Sequence, residues 1–244
     1  HGCAVQRLHV PDAARHRHSR IGMCGRFAFY SPAEATAALF GVDAAVEVES
    51  RYNIAPTQFI AAIREDEDKR RELVMLRWGL VPFWAKDPSI GNRMINARAE
   101  TVAEKPSYRA AYRHRRCLVL ANGFYEWRRS NDTKTPYYIS LASGEPFALA
   151  GLWENWKDRD SDATLQTTTL ITTAANDFMT PLHHRMPVIL RADTADDWLA
   201  GSNDLLDSVA ERTPPLQAWP VDRRVNNARN EGEALIDASG DVIR

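Results

Sequence analysis

Hydrophobic and polar positions change period repeatedly along the chain, and the changes mark its elements. Phe27-Ala28-Phe29-Tyr30 is an apolar run that predicts a strand. Ser31-Pro32-Ala33-Glu34 then predicts a helix, with Ser31 at the N-cap, Pro32 at the first position and Glu34 at the third, before Leu39-Phe40 and a stopping Gly41. Residues 58–64 and 73–78 alternate or run apolar around the charged segment Glu65–Arg71, the pattern of two strands joined by an exposed turn. Further short strands are predicted at Cys117–Leu120, Phe124–Trp127, Tyr137–Leu141, Phe147–Trp153, Leu165–Ile171 and Pro187–Leu190, with a hairpin turn at Asn131–Lys134. Helical patterns are fewer. They fall at Ser107–Arg113, at Thr194–Ala200 with Thr194 and Asp197 as a capping pair, and at Asn203–Ala210, which Pro214-Pro215 ends.

The sum predicts an α+β fold with a mainly antiparallel sheet and a few short peripheral helices. It forms one domain from about 23 to 235 and a short tail at 236–244, since no Pro/Gly/Ser linker divides it and no repeat recurs. Hydrophobic residues at 44% and charged residues at 26% suit a soluble globular protein, and no apolar run approaches the roughly 18 residues of a membrane span.

Charge and cysteine usage refine this picture. The formal net charge of −1 excludes a wholesale basic coat for nucleic acid. It is nevertheless the sum of two unlike parts. Residues 1–22 carry four Arg and one Asp, or +3, leaving 27 basic and 31 acidic residues, or −4, for the rest. The first stretch also holds four of the seven histidines (His1, His9, His16, His18) and shows no period that would bury a face, so it reads as an unstructured extension. An upstream translation start or residues added in expression account for it. Three cysteines (Cys3, Cys24, Cys117) without repeated spacing argue against a disulfide framework and a four-ligand zinc site, and point to a reducing cytoplasm. No cluster of Cys, His and carboxylates has metal-ligand spacing, and no cofactor is required.

Met23-Cys24 follows the extension directly. If Met23 is the working start, its removal leaves Cys24 with a free α-amine. Other polar residues interrupt apolar strings: Asn96 and Arg98 in Met94–Thr101, Glu126 in Asn122–Trp127, and His183 and Arg185 in His183-His184-Arg185-Met186-Pro187. Singly, each has an ordinary structural reading. Glu126 could be a strand carboxylate paired with an Arg, His183 a satisfied loop or core histidine, Asn96 a turn-capping amide, Arg98 half of an ion pair and Cys117 a core thiol.

Together they form a kit for carbonyl chemistry. A terminal Cys offers an amine with a reference pKa of roughly 7.7–8 and a thiol of about 8.5 on adjacent carbons. Such a 1,2-aminothiol condenses with an aldehyde to a Schiff base, and the thiol then closes a durable five-membered thiazolidine. Proton transfers on that route suit a carboxylate and an imidazole, here Glu126 and His183. Asn96 could orient the amine or the sugar, and Arg98 and Arg185 could grip an anionic backbone.

Six blocks carry a resemblance on top of this reading: Met23–Phe27, Arg51–Thr57, Trp78–Trp84, Asn96–Thr101, Gly123–Trp127 and His183–Pro187. From Met23 to about Ile236 the chain resembles the SRAP family, the abasic-site processing proteins also called SOS response-associated peptidases. The resemblance implies a β-rich α+β fold and a protein that cross-links to abasic sites in single-stranded DNA during replication or the damage response. It implies Cys24 as covalent nucleophile, completed by Asn96, Glu126 and His183, and assigns His183 rather than His184 to the motif's histidine. Arg26, Arg98 and Arg185 would meet phosphates, and Pro56 and Trp84 would shape a bent strand, with Arg51, Arg93 and Trp78 also near the cleft. Some relatives carry a second Trp where this chain has Ala85, so one stacking contact is expected to be missing. The expected partner is single-stranded DNA bearing an abasic site, near single-strand/duplex junctions, met by a cytoplasmic, nucleoid-associated monomer. Two other readings stand beside this one: a cysteine peptidase that exposes Cys24 by autoproteolysis, and a non-covalent single-strand-binding module.

Overall fold

A computed structural model describes residues 24–42 and 47–244. The expected extension at 1–22, with Cys3 and the start at Met23, lies outside the described residues. The apolar patterns become β1 (Phe27–Phe29), α1 (Ala33–Leu39), β2 (Arg51–Ile54), β3 (Phe59–Glu65), β4 (Arg71–Trp78), β5 (Asn96–Arg98), α2 (Arg109–His114) and β6 (Arg116–Ala121). They continue as β7 (Gly123–Ser130), β8 (Thr133–Leu141), β9 (Phe147–Lys157), β10 (Thr164–Ala174), β11 (Arg185–Pro187) and β12 (Ile189–Leu190). The chain then forms α3 (Ala192–Leu199), α4 (Asp204–Asp207), α5 (Val209–Arg212) and β13 (Leu216–Pro220). The α+β, mainly antiparallel, single-domain expectation is met. None of the described helices is long and apolar enough to cross a membrane.

Two sheets organise the strands. In one, neighbours run β10-β4-β3-β6-β9, and β9 pairs again with β10, so these five strands close on themselves as a barrel. Closure removes the exposed edges that an open sheet would leave. β6 is buried along its whole length, which explains its unbroken Cys117-Leu118-Val119-Leu120-Ala121 run. The second sheet runs β13-β8-β7-β1-β2. Alternation along β1 and β7 places Phe27, Phe29 and Phe124 in the main core, whereas Ala28 and Tyr125 join Tyr138, Val221 and Val225 in a smaller one. Glu126, two residues beyond Phe124, therefore falls on the side of the main core, which also holds Cys24.

Several local expectations are corrected by tertiary contacts. Ser31 does not cap α1; Pro32 occupies the N-cap, and the Ser31 hydroxyl instead accepts a 2.6 Å bond from Asn122 Nδ2. The stop at Gly41 holds: its φ of +73° permits bonds from Gly41 N to Ala38 O and from Val42 N to Ala37 O. Thr194 lies inside α3 rather than before it, and its hydroxyl both accepts from Arg191 N and donates to Arg191 O at 3.1 Å. The Asn203–Ala210 helix is split into α4 and α5, and the Pro187–Leu190 strand is split at Val188, which bonds Ile171 and Ala150 on different strands. β2, β5 and β13 had no strand signal, because β2 and β5 carry polar residues whose partners are distant in sequence. Residues after 235 pair back on the domain through Ala218 and Ile243.

Gly123 opens β7 where the backbone passes over the Tyr138 ring. A Cβ there would collide with that ring and lie 2.6 Å from Ile139 O. Gly123→Ala is expected to lower stability by about 1–3 kcal/mol through overpacking, read as a lower urea midpoint with the slope unchanged.

Candidate active site

Pairing of β1 with β7 sets the site. Tyr125 N bonds Arg26 O at 3.0 Å and Phe27 pairs with Phe124, so the chain entering β1 is held alongside the residues flanking Glu126. Cys24 N donates to Glu126 Oε1 at 2.6 Å, and both residues are buried, at 1% and 4% exposure. Asn96, at the start of β5, reaches the same residue from the barrel, with Nδ2 3.5 Å from Cys24 O. Glu126 and His183 line one pocket of about 230 Å³ together with Gly25 and Arg26. Hydrogen bonds thus join three of the four expected catalytic residues, Cys24, Glu126 and Asn96, while His183, rather than His184, lines the pocket beside Glu126.

Burial pushes the Glu126 carboxyl up to about 7, opposed by the Cys24 and Trp127 backbone N–H groups. The Cys24 thiol is raised well above its ordinary value, by burial first and by the Glu126 charge second. His183 is lowered by burial first, with Arg129 and Arg185 charges adding and an Arg185 backbone contact opposing. Near neutral pH, therefore, the thiol is protonated, the imidazole is neutral and Glu126 sits at its midpoint. A proton carrier near the working pH is the most effective kind. Arg185 N donates to His183 Nδ1 at 3.1 Å, which puts the neutral ring's proton on Nε2; Arg185 O, 3.2 Å from Nδ1, would receive the second proton of an imidazolium.

Arg26 is 9% exposed: Nη1 donates to Asn53 Oδ1 and Val225 O at 2.7 Å, while the residue still borders the pocket. Its neighbour Asn53 is fully buried, and its Nδ2 reaches Val225 O, Asn227 O and Asn230 O. Arg185 does not enter the pocket; it forms a bidentate pair with Glu100 and donates to Thr172 O at 2.7 Å. Arg98 is exposed on β5, which pairs with the same stretch of β10. Arg51 pairs with Glu231, while Arg93 is exposed and Pro56 half-buried, all outside this pocket. Trp78 is no cleft residue: it is fully buried against Phe27, with Nε1 bonded to Ile95 O. Phe83 and Trp84 are exposed, at 58% and 42%, whereas Ala85 is buried and its carbonyl accepts from Trp156 Nε1 at 2.7 Å.

Sequence reasoning missed Trp127, Arg129, Lys134 and Asn226, which complete the pocket. Asn226 Oδ1 accepts from Trp127 Nε1 at 2.7 Å, locking the pocket wall. The adjacent amides Asn226-Asn227 were the available signal, and nothing in their spacing tied them to β7.

Fold and site together define a barrel protein with a buried Cys backbone nitrogen on a buried carboxylate, next to a neutral histidine and a basic pocket. Residues 23–228 match the profile of the SOS response associated peptidase (SRAP) family, and the chain belongs to it. It is similar to abasic site processing protein YoaM of Bacillus subtilis, 43% identical over 225 residues, covering 88% of this chain and 98% of that one. It is also similar to abasic site processing protein YedK of Escherichia coli, 30% identical with 88% and 99% covered. A crystal structure of a protein from Bacteroides thetaiotaomicron superposes with a TM-score of 0.78 at 26% identity, covering 88% of this chain and all of that one.

Burial of Glu126 gives a signed prediction for protein with residue 23 attached. A folded-state value of about 7 against the ordinary 4.5 means that the native state holds a proton the unfolded state has lost between those pH values. Stability contributed by this group falls as pH rises through that window. Glu126→Gln is expected to match the wild type at pH 4 and exceed it by about 3 kcal/mol at pH 8. Urea midpoints at the two pH values check this.

Proposed function

We propose that this protein processes abasic sites in DNA by forming a covalent thiazolidine through Cys24. The 2.6 Å contact between Cys24 N and the buried Glu126 carboxylate carries the reading. The similarity to proteins named abasic site processing proteins supports it. Once residue 23 is removed, the nitrogen on Glu126 becomes an α-amine. The φ of +32° at Cys24, uncommon for a side-chain-bearing residue, then ceases to be a constraint.

In the reaction, Glu126 takes a proton from the amine, and the amine attacks the aldehyde carbon of the ring-opened sugar. Glu126 or His183 Nε2–H delivers protons to the departing oxygen, which leaves as water. The thiol then adds to the imine carbon, its proton passing to the nitrogen, so that one water is released per thiazolidine. A protonated thiol suits this order, because the amine reacts first and the sulfur only closes the ring. Asn96, bonded to Cys24 O, holds the nucleophile's backbone. Arg98 and Arg26 supply positive charge near the strand, Arg185 does so if its pair with Glu100 opens, and Pro56 shapes its path. Phe83 and Trp84 form the exposed stacking surface for single-stranded bases, in which Phe83 takes up the contact that Ala85 lacks.

A resting cysteine-peptidase site would need a thiolate beside an imidazolium, and the electrostatics of Cys24 and His183 oppose both.

Protein beginning at Cys24, mixed with a single-stranded oligonucleotide carrying an abasic site, is expected to give a heat-stable adduct. Cys24→Ala gives none, Cys24→Ser gives only a Schiff base trapped by borohydride, and Glu126→Gln slows formation by about 100-fold or more. A stable adduct from Cys24→Ala would overturn the reading. Protein retaining residues 1–22 is expected to form no adduct, because Cys24 N is then an amide. Spontaneous loss of those residues in wild type but not in Cys24→Ala, read by intact mass, would instead favour autoproteolysis.

A further inference from the structure

The hairpin of β7 and β8 projects past the pocket with an arrangement that the fold itself does not need. Arg129 and Lys134 are direct cross-strand partners, so their side chains leave the same face of the sheet side by side. Like charges placed opposite each other destabilise a hairpin. Neither side chain has an ion-pair partner among the described residues, although Asp132 stands in the two-residue turn between them. Both are exposed and both line the pocket that contains Glu126 and His183. Trp127, on the same face of β7 two residues before Arg129, is fixed by Asn226 and forms the wall leading from the doublet inward.

We propose that Arg129 and Lys134 form a phosphodiester grip that holds the DNA strand adjoining the residue delivered to Cys24. This inference rests on the reading of the pocket as the DNA-lesion site and adds a binding element distinct from the reacting groups. Two cations about one cross-strand spacing apart suit one bridging phosphate or two successive phosphates of a single strand. An uncharged aldehyde would enter the same pocket without using them. The repulsion tolerated in the free hairpin is relieved when the anion arrives, so the doublet favours the bound state over the free one.

The test separates grip from chemistry. Binding of a lesion-free single-stranded oligonucleotide is measured by anisotropy over a range of salt, for protein beginning at Cys24 and for Arg129→Gln/Lys134→Gln. Losing two phosphate contacts is expected to reduce the slope of log K against log salt by about 1.4, which corresponds to roughly 25-fold weaker binding at 0.1 M salt. Cross-linking to an abasic oligonucleotide should fall in proportion at subsaturating DNA, while adduct formation with glyceraldehyde, followed by mass at pH 8, where the His183 imidazole is neutral with or without the Arg129 charge, stays at the wild-type rate. The swap Arg129→Lys/Lys134→Arg should restore binding. An unchanged salt slope in the Gln variant would overturn the grip, as would an equal loss of glyceraldehyde reactivity. If wild type binds DNA with this slope but forms no adduct, the covalent reading fails and the grip stands.

Discussion

The bond between the Cys24 backbone nitrogen and the Glu126 carboxylate is the contact on which the site depends. It joins the entry to β1 with the middle of β7, two segments 102 residues apart, and both groups are buried, Glu126 at the floor of the pocket. A carboxylate left there without a donor would cost several kcal/mol, and a backbone N–H without an acceptor would cost a share of that. Each group therefore stabilises the other, with the Trp127 N–H as a second donor to the carboxylate. The hydrogen-bonded pairing of β1 with β7 makes the contact geometrically unavoidable.

Around that contact the electrostatics divide into a centre of low charge and a basic rim. Burial keeps the Cys24 thiol protonated, His183 neutral and Glu126 near its midpoint, whereas Arg26, Arg129 and Lys134 border the pocket. On the proposed reading the rim attracts an anionic strand and the condensation takes place in the centre, where protons move between groups of similar affinity. The role proposed for Glu126 is in tension with stability, because the burial that raises its carboxyl also destabilises the native state when that carboxyl is ionised. The net negative charge of the domain does not conflict with an anionic partner, since the local rim and not the total sets the field at the pocket.

Much of the fold was legible because strand signals are local. Alternation at 58–64 and 73–78 and the Asn131-Asp132 turn gave their strands and hairpin within a residue or two. Failures occurred where a distant partner competed with a local rule. Asn122 took the Ser31 hydroxyl that would have capped α1, and the carbonyls of Val225, Asn227 and Asn230 satisfied Asn53 and let a polar segment form a half-buried strand. Trp78 follows the same logic in reverse: an aromatic expected near the cleft is drawn into the core, where its indole N–H has a partner in Ile95 O.

By itself, the sequence determined which side chains have no inexpensive place in an ordinary core: Asn96, Glu126 and His183 within apolar strings, and a cysteine behind a methionine. Residue chemistry needs no coordinates to be read. Only the tertiary structure decided which of them meet, that Arg185 is engaged by Glu100, that Arg26 is as much a strut as a charge, and that Arg129 and Lys134 belong to the pocket. Those outcomes turn on strand register and barrel closure, and register is fixed by the summed burial of many residues that no single motif encodes.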